Sequence, residues 1–320
     1  MDVPSEQLVF FIRHAESRWN RAQASGDLIG LLWENDHGLT EDGLRMATAL
    51  RQRIRAAREA PSGVDAKAEW ARHFMRPDAV FSSPLTRALE TTCLALKDVI
   101  ATRGVVVMRE AREQKNLGGA DSTGVAVGAG IRERLEEDLR AVLEAACEGA
   151  GEAPEAPVDR ALADARESLE ALGSLPLDTS GVEDEWWGPL TGDQEGDLGE
   201  RVEAFLGRLR LTRGTACRGG GGTAIVVGHS HFLRTVFGAH LADCPPMSSD
   251  SWKFNSLRKR VLPYCAVMGC RIRWDQDGQA SIVEAVPLFG TELSADIPSK
   301  AHGGGCVCGR GQIKDVCVVS

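Results

Sequence analysis

Four short apolar runs, each broken off by polar residues able to do chemistry, constrain this 320-residue chain more than any other feature. Leu8 to Ile12 stops at Arg13 and His14, and Ala79 to Phe81 stops at Ser82, Ser83 and Pro84. Val105 to Met108 gives way to a charged stretch ending at Glu113, and Ala224 to Val227 to Gly228, His229, Ser230 and His231. Unbroken apolar runs of this length suit strands covered on both faces, the situation of a parallel sheet. Apolar residues recur at helical spacing in Gly43 to Ala60, in Leu85 to Ile100 and from Phe232 onward. The expected fold class is therefore α/β, a mostly parallel central sheet flanked by helices on both faces. Ligands of such sheets bind at the carboxyl ends of the strands, where all four polar clusters fall.

Between Gln114 and Glu200 the pattern changes to one rich in Ala, Glu and Arg, with a Gly/Pro/Glu/Ala stretch at Gly149 to Pro157. Helical spacing in Ile131 to Ala146 and Val158 to Leu172 predicts two helices, followed by an acidic loop from Gly173 to Gly199. Trp186 and Trp187 in that loop either anchor its packing or line a pocket mouth. The expected organisation is an α/β domain from residues 1–113 and 200–290, with residues 114–199 as a mostly helical insertion that caps the site or decorates the surface. Residues 291–320 are read as a flexible tail. The run Arg218 to Gly222 reads as a connector, because no Lys-Ser/Thr follows its glycines to make a phosphate cradle.

Composition removes several classes of function. With 37 basic and 46 acidic residues the net charge is −9, which disfavours nucleic acid as a partner. No window approaches the roughly 18 unbroken apolar residues of a spanning helix, and the start MDVPSEQ lacks a signal-peptide pattern. Nine cysteines, an odd number without zinc-type spacing, fit a reducing compartment, so a cytoplasmic location is expected.

The polar clusters carry a more specific pattern. Arg13-His14-Ala15-Glu16-Ser17-Arg18-Trp19-Asn20 after the first strand resembles the Arg-His-Gly/Ala signature of the histidine phosphatase superfamily, the phosphoglycerate mutase-like enzymes. Asp36 to Ala47 resembles its Leu-Thr-x-x-Gly helix start, with Thr40 as a good N-cap and Met46 where Gln is usual. Ser82-Ser83-Pro84-Leu85-Thr86-Arg87-Ala88 resembles Ser-Ser-Pro-x-x-Arg-Ala, and Val226 to Arg234 resembles the second histidine motif, with Gly228 in place of Ser and Ser230 in place of Gly. His229 aligns with the family histidine, whereas His231 has no counterpart and faces either the substrate entrance or solvent.

The resemblance implies a two-step reaction on a phosphorylated substrate, with His14 as nucleophile and Arg13, Arg87 and His229 binding the phosphoryl group. Asn20, at an expected helix start, adds a neutral phosphate donor by its position. A proton donor for the leaving oxygen is expected at the end of the third strand. Glu113 is preferred over Glu110 because Arg112-Glu113 resembles the family's Arg-Glu. No metal-ligand cluster and no cofactor is expected. The anticipated activity is phosphomonoester hydrolysis of a small molecule or protein, with a phosphoglycerate mutase-type transfer and an inactive scaffold as the alternatives. Glu113-Gln114-Lys115-Asn116-Leu117-Gly118-Gly119 departs from the mutases' Glu-Arg-x-x-Gly, which favours hydrolysis.

The last four residues, Cys317-Val318-Val319-Ser320, fit a prenylation box, a eukaryotic signal, and Cys306 and Cys308 are candidate palmitoylation sites. The expectation is peripheral attachment to the cytosolic face of a membrane. The alternative is a set of unmodified thiols in a mobile tail.

Overall fold

The computed structural model describes residues 5–27, 29–30, 34–60, 66–101, 103–114, 122–149, 160–187, 195–212, 221–242 and 256–293. Its strands are β1 (Ser5–Arg13), β2 (Ala79–Ser82), β3 (Val105–Val107), β4 (Leu177–Asp178), β5 (Thr223–Gly228), β6 (Val267–Trp274) and β7 (Ala280–Leu288). Its helices are α1 (Arg18–Ser25), α2 (Glu41–Glu59), α3 (Ala66–Phe74), α4 (Thr86–Ala95), α5 (Lys97–Ile100), α6 (Gly130–Gly149), α7 (Arg160–Leu172), α8 (Glu195–Leu211) and α9 (Ser230–His240). All seven strands form one sheet in the order β4-β3-β2-β5-β1-β6-β7. The neighbours from β4 to β1 pair in parallel, and β6 pairs antiparallel with both β1 and β7. This is the expected α/β fold, with a mixed, mostly parallel sheet.

Because side chains alternate along a strand, β1 supplies both halves of the core. Phe10 and Ile12 join the helices α2, α3, α4, α6 and α7 on one face, while Val9 and Phe11 meet α8 and α9 on the other. Full burial of a Phe or Ile side chain is worth about 1.5–3 kcal/mol, so a polar substitution at any of these four positions strikes the centre of the fold.

Strand register sets where the chemistry emerges. Arg13 lies opposite Gly228, and Ser82 lies opposite both Val227 and Val107. The residues one step further are tied by the same ladder: His14 N–H donates to Gly228 O at 3.0 Å, and Ser83 N–H donates to Val227 O at 2.9 Å. Thus His14, Ser83 and His229 leave one sheet edge together. The turn after His14 is braced from α2, where a Cβ on Gly43 would lie 2.0 Å from the carbonyl oxygen of Glu16. That close approach explains the glycine of the Leu-Thr-x-x-Gly pattern. Thr40 caps α2 as expected, accepting from Gly43 N–H at 3.0 Å.

The stretch between Gln114 and Glu200 is more closely woven into the domain than its composition suggests. Residues of α6 and α7 belong to the same core as Phe10 and α4, and the predicted acidic loop contains β4, which pairs with β3 through Val105 and Leu177. The hairpin β6–β7 has no counterpart in the expected strands. Its signal was present, since Asp277 and Gly278 separate a pair of alternating segments and Gly278 adopts a positive φ of 85°. Among the described residues no helix is long and apolar enough to cross a membrane. Cys306, Cys308 and Cys317, with most of the predicted tail, lie outside the described residues.

Candidate active site

His14 occupies the first turn after β1 and is 2% exposed. Its Nδ1 lies 2.6 Å from the carbonyl oxygen of Ala15, which can only accept, so Nδ1 carries the proton and the lone pair of the neutral ring resides on Nε2. Burial, followed by the charges of Arg87 and Arg13, holds its pKa well below the ordinary imidazole value. The ring is therefore a neutral base at pH 7. Ala15 N–H donates to Thr91 Oγ1 at 3.0 Å, and that hydroxyl donates to Arg87 O at 2.7 Å, which locks this turn to α4.

His229 faces this ring with centroids 4.9 Å apart and is fully buried. Its Nε2 lies 2.7 Å from Ser83 Oγ, while Nδ1 is buried without a protein hydrogen-bond partner. Burial, then the charge of Arg87, depresses this pKa as well. Nε of Arg13 is a second buried polar atom without a protein partner. Two such atoms at one strand edge are costly unless a ligand completes their bonding, and an oxyanion suits both, provided Nδ1 bears the proton of neutral His229.

Arg87 comes to the histidine pair from α4 and is 2% exposed. The start of that helix is held by Asp36, which accepts from both the N–H and the hydroxyl of Thr86 at 2.8 Å. Burial pushes the Asp36 carboxyl up to about 6 in spite of these bonds and of the Arg87 charge. Arg13 is fixed differently. One terminal nitrogen donates to Leu262 O at 2.6 Å, and the guanidinium carbon lies 4.0 Å from the centroid of the Tyr264 ring.

Glu113 crosses from the end of β3 to the beginning of α9. Its Oε1 accepts from the N–H groups of Gln114 at 2.8 Å and Phe232 at 2.9 Å, and Oε2 has a longer bond of 3.4 Å from His231 N–H. It thereby satisfies orphan donors of α9, whose N-cap His229 makes no side-chain capping bond. Oε2 is the oxygen with capacity left for a proton. Glu110 instead pairs with Arg208 at 3.3 Å.

The structure brings Arg13, His14, Arg87, Glu113 and His229 to one strand edge. Asn20 serves its own helix instead, its Oδ1 accepting from the Ser17 N–H and hydroxyl in a capping box at the start of α1. Trp186 is 2% exposed, donates to Ala126 O at 2.9 Å and meets the Trp187 ring edge-on, which makes the pair a packing anchor. Among the described residues no group of three or more His, Cys, Asp or Glu could hold a metal ion. Tyr264 and Asp36 were not expected at the site. The loop ahead of β6 carries no motif to announce the first, and the second is the opening residue of the Leu-Thr-x-x-Gly segment.

The sheet is that of an α/β protein whose parallel strands β1 and β5 deliver two histidines to one edge. The family model described as histidine phosphatase superfamily (branch 1) matches residues 9–174, and the chain belongs to that superfamily. No curated protein sequence matches it at a significant level. Among solved structures it is similar to the ecdysone phosphate phosphatase from Bombix mori in complex with tungstate, at 16% identity and a TM-score of 0.46, covering 92% of this chain and 96% of the other. A phosphoglycerate mutase from Bacillus anthracis is similar at 18% identity and a TM-score of 0.43, covering 89% and 95%. A putative alpha-ribazole-5'-P phosphatase from Escherichia coli is similar at 17% identity and 0.40, covering 90% and 100%. Phosphatases and mutases both occur among these distant relatives.

Proposed function

We propose that this chain hydrolyses phosphomonoesters through a phosphohistidine at His14. The observation that carries the reading is His14 Nδ1 lying 2.6 Å from Ala15 O, which puts the proton on Nδ1 and the lone pair on Nε2 of a ring flanked by the charges of Arg13 and Arg87 and by the His229 ring at 4.9 Å. In the first step Nε2 forms a bond to phosphorus while the bond from phosphorus to the ester oxygen breaks. The electron pair leaves on that oxygen, which takes the proton of Glu113 and departs as the alcohol. In the second step a water oxygen bonds to phosphorus, the N–P bond breaks with its pair returning to Nε2, and the water proton passes to Glu113. Orthophosphate leaves and both side chains regain their starting forms. Arg13, Arg87 and His229 stabilise the charge on the transferring oxygens in both steps. The substrate is a phosphorylated small molecule or protein, and no cofactor takes part in this reading.

Rapid-quench single turnover of p-nitrophenyl phosphate tests it. The wild type is expected to trap acid-labile phosphate on the protein, and His14→Ala is expected to trap none and to lose on the order of 10³-fold or more in rate. Turnover at the wild-type rate by His14→Ala would overturn the covalent mechanism. Phosphoryl delivery to an added alcohol in preference to water would reassign the activity to a transferase.

A further inference from the structure

Tyr264 is the only tyrosine in the chain, and it lies outside every motif that the sequence offers. It belongs to the loop ahead of β6, yet its ring centroid is 6.4 Å from that of His14 and 4.0 Å from the guanidinium carbon of Arg13. The backbone enforces this placement. Arg13 N–H donates to Ala266 O at 3.3 Å, and Cys265 N–H donates to Arg13 O at 3.1 Å. Cys265 between them takes a positive φ of 55°, unusual for a residue with a side chain, and so turns the chain sharply from Tyr264 into β6.

Two restraints at right angles are needed to fix a guanidinium. The bond to Leu262 O sets the direction of one terminal N–H but leaves the plane free to rotate about it. A ring face stacked on the group removes that rotation. It does so with a neutral partner, whose electron-rich face attracts the cation without presenting an anion that would compete with phosphate. The remaining N–H donors of Arg13, including the buried Nε, are then set before any ligand arrives.

We infer that Tyr264 is a positioning residue for phosphoryl binding, its ring face fixing the guanidinium plane of Arg13 beside His14; this rests on the proposed phosphoryl-transfer reading of the site. The residue acts through Arg13 and is assigned no contact with the reacting atoms.

The test uses the full chain, with inorganic phosphate as a ligand that needs no turnover and p-nitrophenyl phosphate as the ester. With ring-¹³C tyrosine incorporated, the one set of tyrosine signals should shift as phosphate binds. Tyr264→Leu should raise the phosphate Kd and the ester KM about tenfold, whereas Tyr264→Phe, which keeps the ring face and gives up only the hydroxyl's hydrogen bond with Arg13, should stay within about threefold of wild type. In an Arg13→Lys background, where the planar group is gone, Tyr264→Leu should change both constants by less than about twofold. Signals that ignore phosphate, a Phe variant as impaired as Leu, or an undiminished Leu effect in Arg13→Lys would each overturn the inference. Phosphate-dependent shifts without ester turnover would sustain the positioning role and remove the hydrolase reading. Full turnover that is indifferent to Tyr264 would do the reverse.

Discussion

Arg51 and Arg13 carry the same charge and are held in opposite ways. Arg51, on α2 and 1% exposed, bonds both oxygens of Asp98 at 3.0 and 2.9 Å, Glu167 at 2.9 Å and the carbonyl of Asp164 at 3.2 Å. Arg55 joins the same acids, and Lys97 pairs with Glu167. This clasp ties α2 to α7 and to the short helix α5, and its charges cancel within it. Arg13 rests instead on a carbonyl and on Tyr264, whose ring face and hydroxyl both meet the guanidinium. The comparison separates two uses of arginine. Charge matched by carboxylates holds a structure together, whereas charge supported by neutral partners remains available to an incoming anion.

Three substitutions or titrations would break or sharpen that distinction. The largest effect is expected at the site. Glu113→Gln keeps an oxygen to accept from Phe232 N–H but loses the transferable proton, so kcat on an alkyl phosphate should fall by roughly 10²–10⁴-fold. The fall on p-nitrophenyl phosphate, whose leaving group needs little protonation, should be far smaller. Equal losses on both esters would deny Glu113 its role as proton donor.

The second concerns the clasp. Arg51→Met should cost about 2–3 kcal/mol in urea unfolding, at the low end for a broken buried pair because Asp98 and Glu167 keep contact with water. The kcat per folded molecule should stay at the wild-type value. A variant with unchanged stability but altered kcat would invert the assignment of the two regions.

The third and smallest is a pH dependence with two separate windows. His14 and His229 are kept neutral in the folded state, with pKa values well below the 6.5 of the free side chain. The unfolded chain therefore binds more protons there, so these two sites lose stability as pH falls below 6.5, while Asp36, raised to about 6 by burial, takes up its proton first in the folded state and offsets part of that loss. At Asp98 burial alone would raise the pKa, but hydrogen bonds from Arg51 and Arg55 outweigh it and hold the carboxyl well below its ordinary 3.8. That contribution is fully present above about pH 4 and is lost as pH falls through the lower range. Urea unfolding between pH 7 and 3 should show the loss from Asp98 below about pH 4, and Arg51→Met should weaken that loss alone.

What could be read from the residues in order was whatever depends on short stretches of chain. Apolar runs ending in Arg13-His14, Ser82-Ser83-Pro84, Glu113 and His229 predicted four buried strands and the edge where they deliver chemistry, because strand burial and side-chain alternation are local patterns. Thr40 as an N-cap and the pair of helices α6 and α7 were legible for the same reason. Other facts were settled only by the way distant segments pack. The edge strand β4 is two residues long and borrows its order from β3; Glu113 completes the first turn of a helix more than a hundred positions away; and Tyr264 reaches Arg13 through a bend at Cys265. Each depends on a hydrogen bond or ring contact made when two strand ends come together, and a linear pattern of residue types contains no term for that distance.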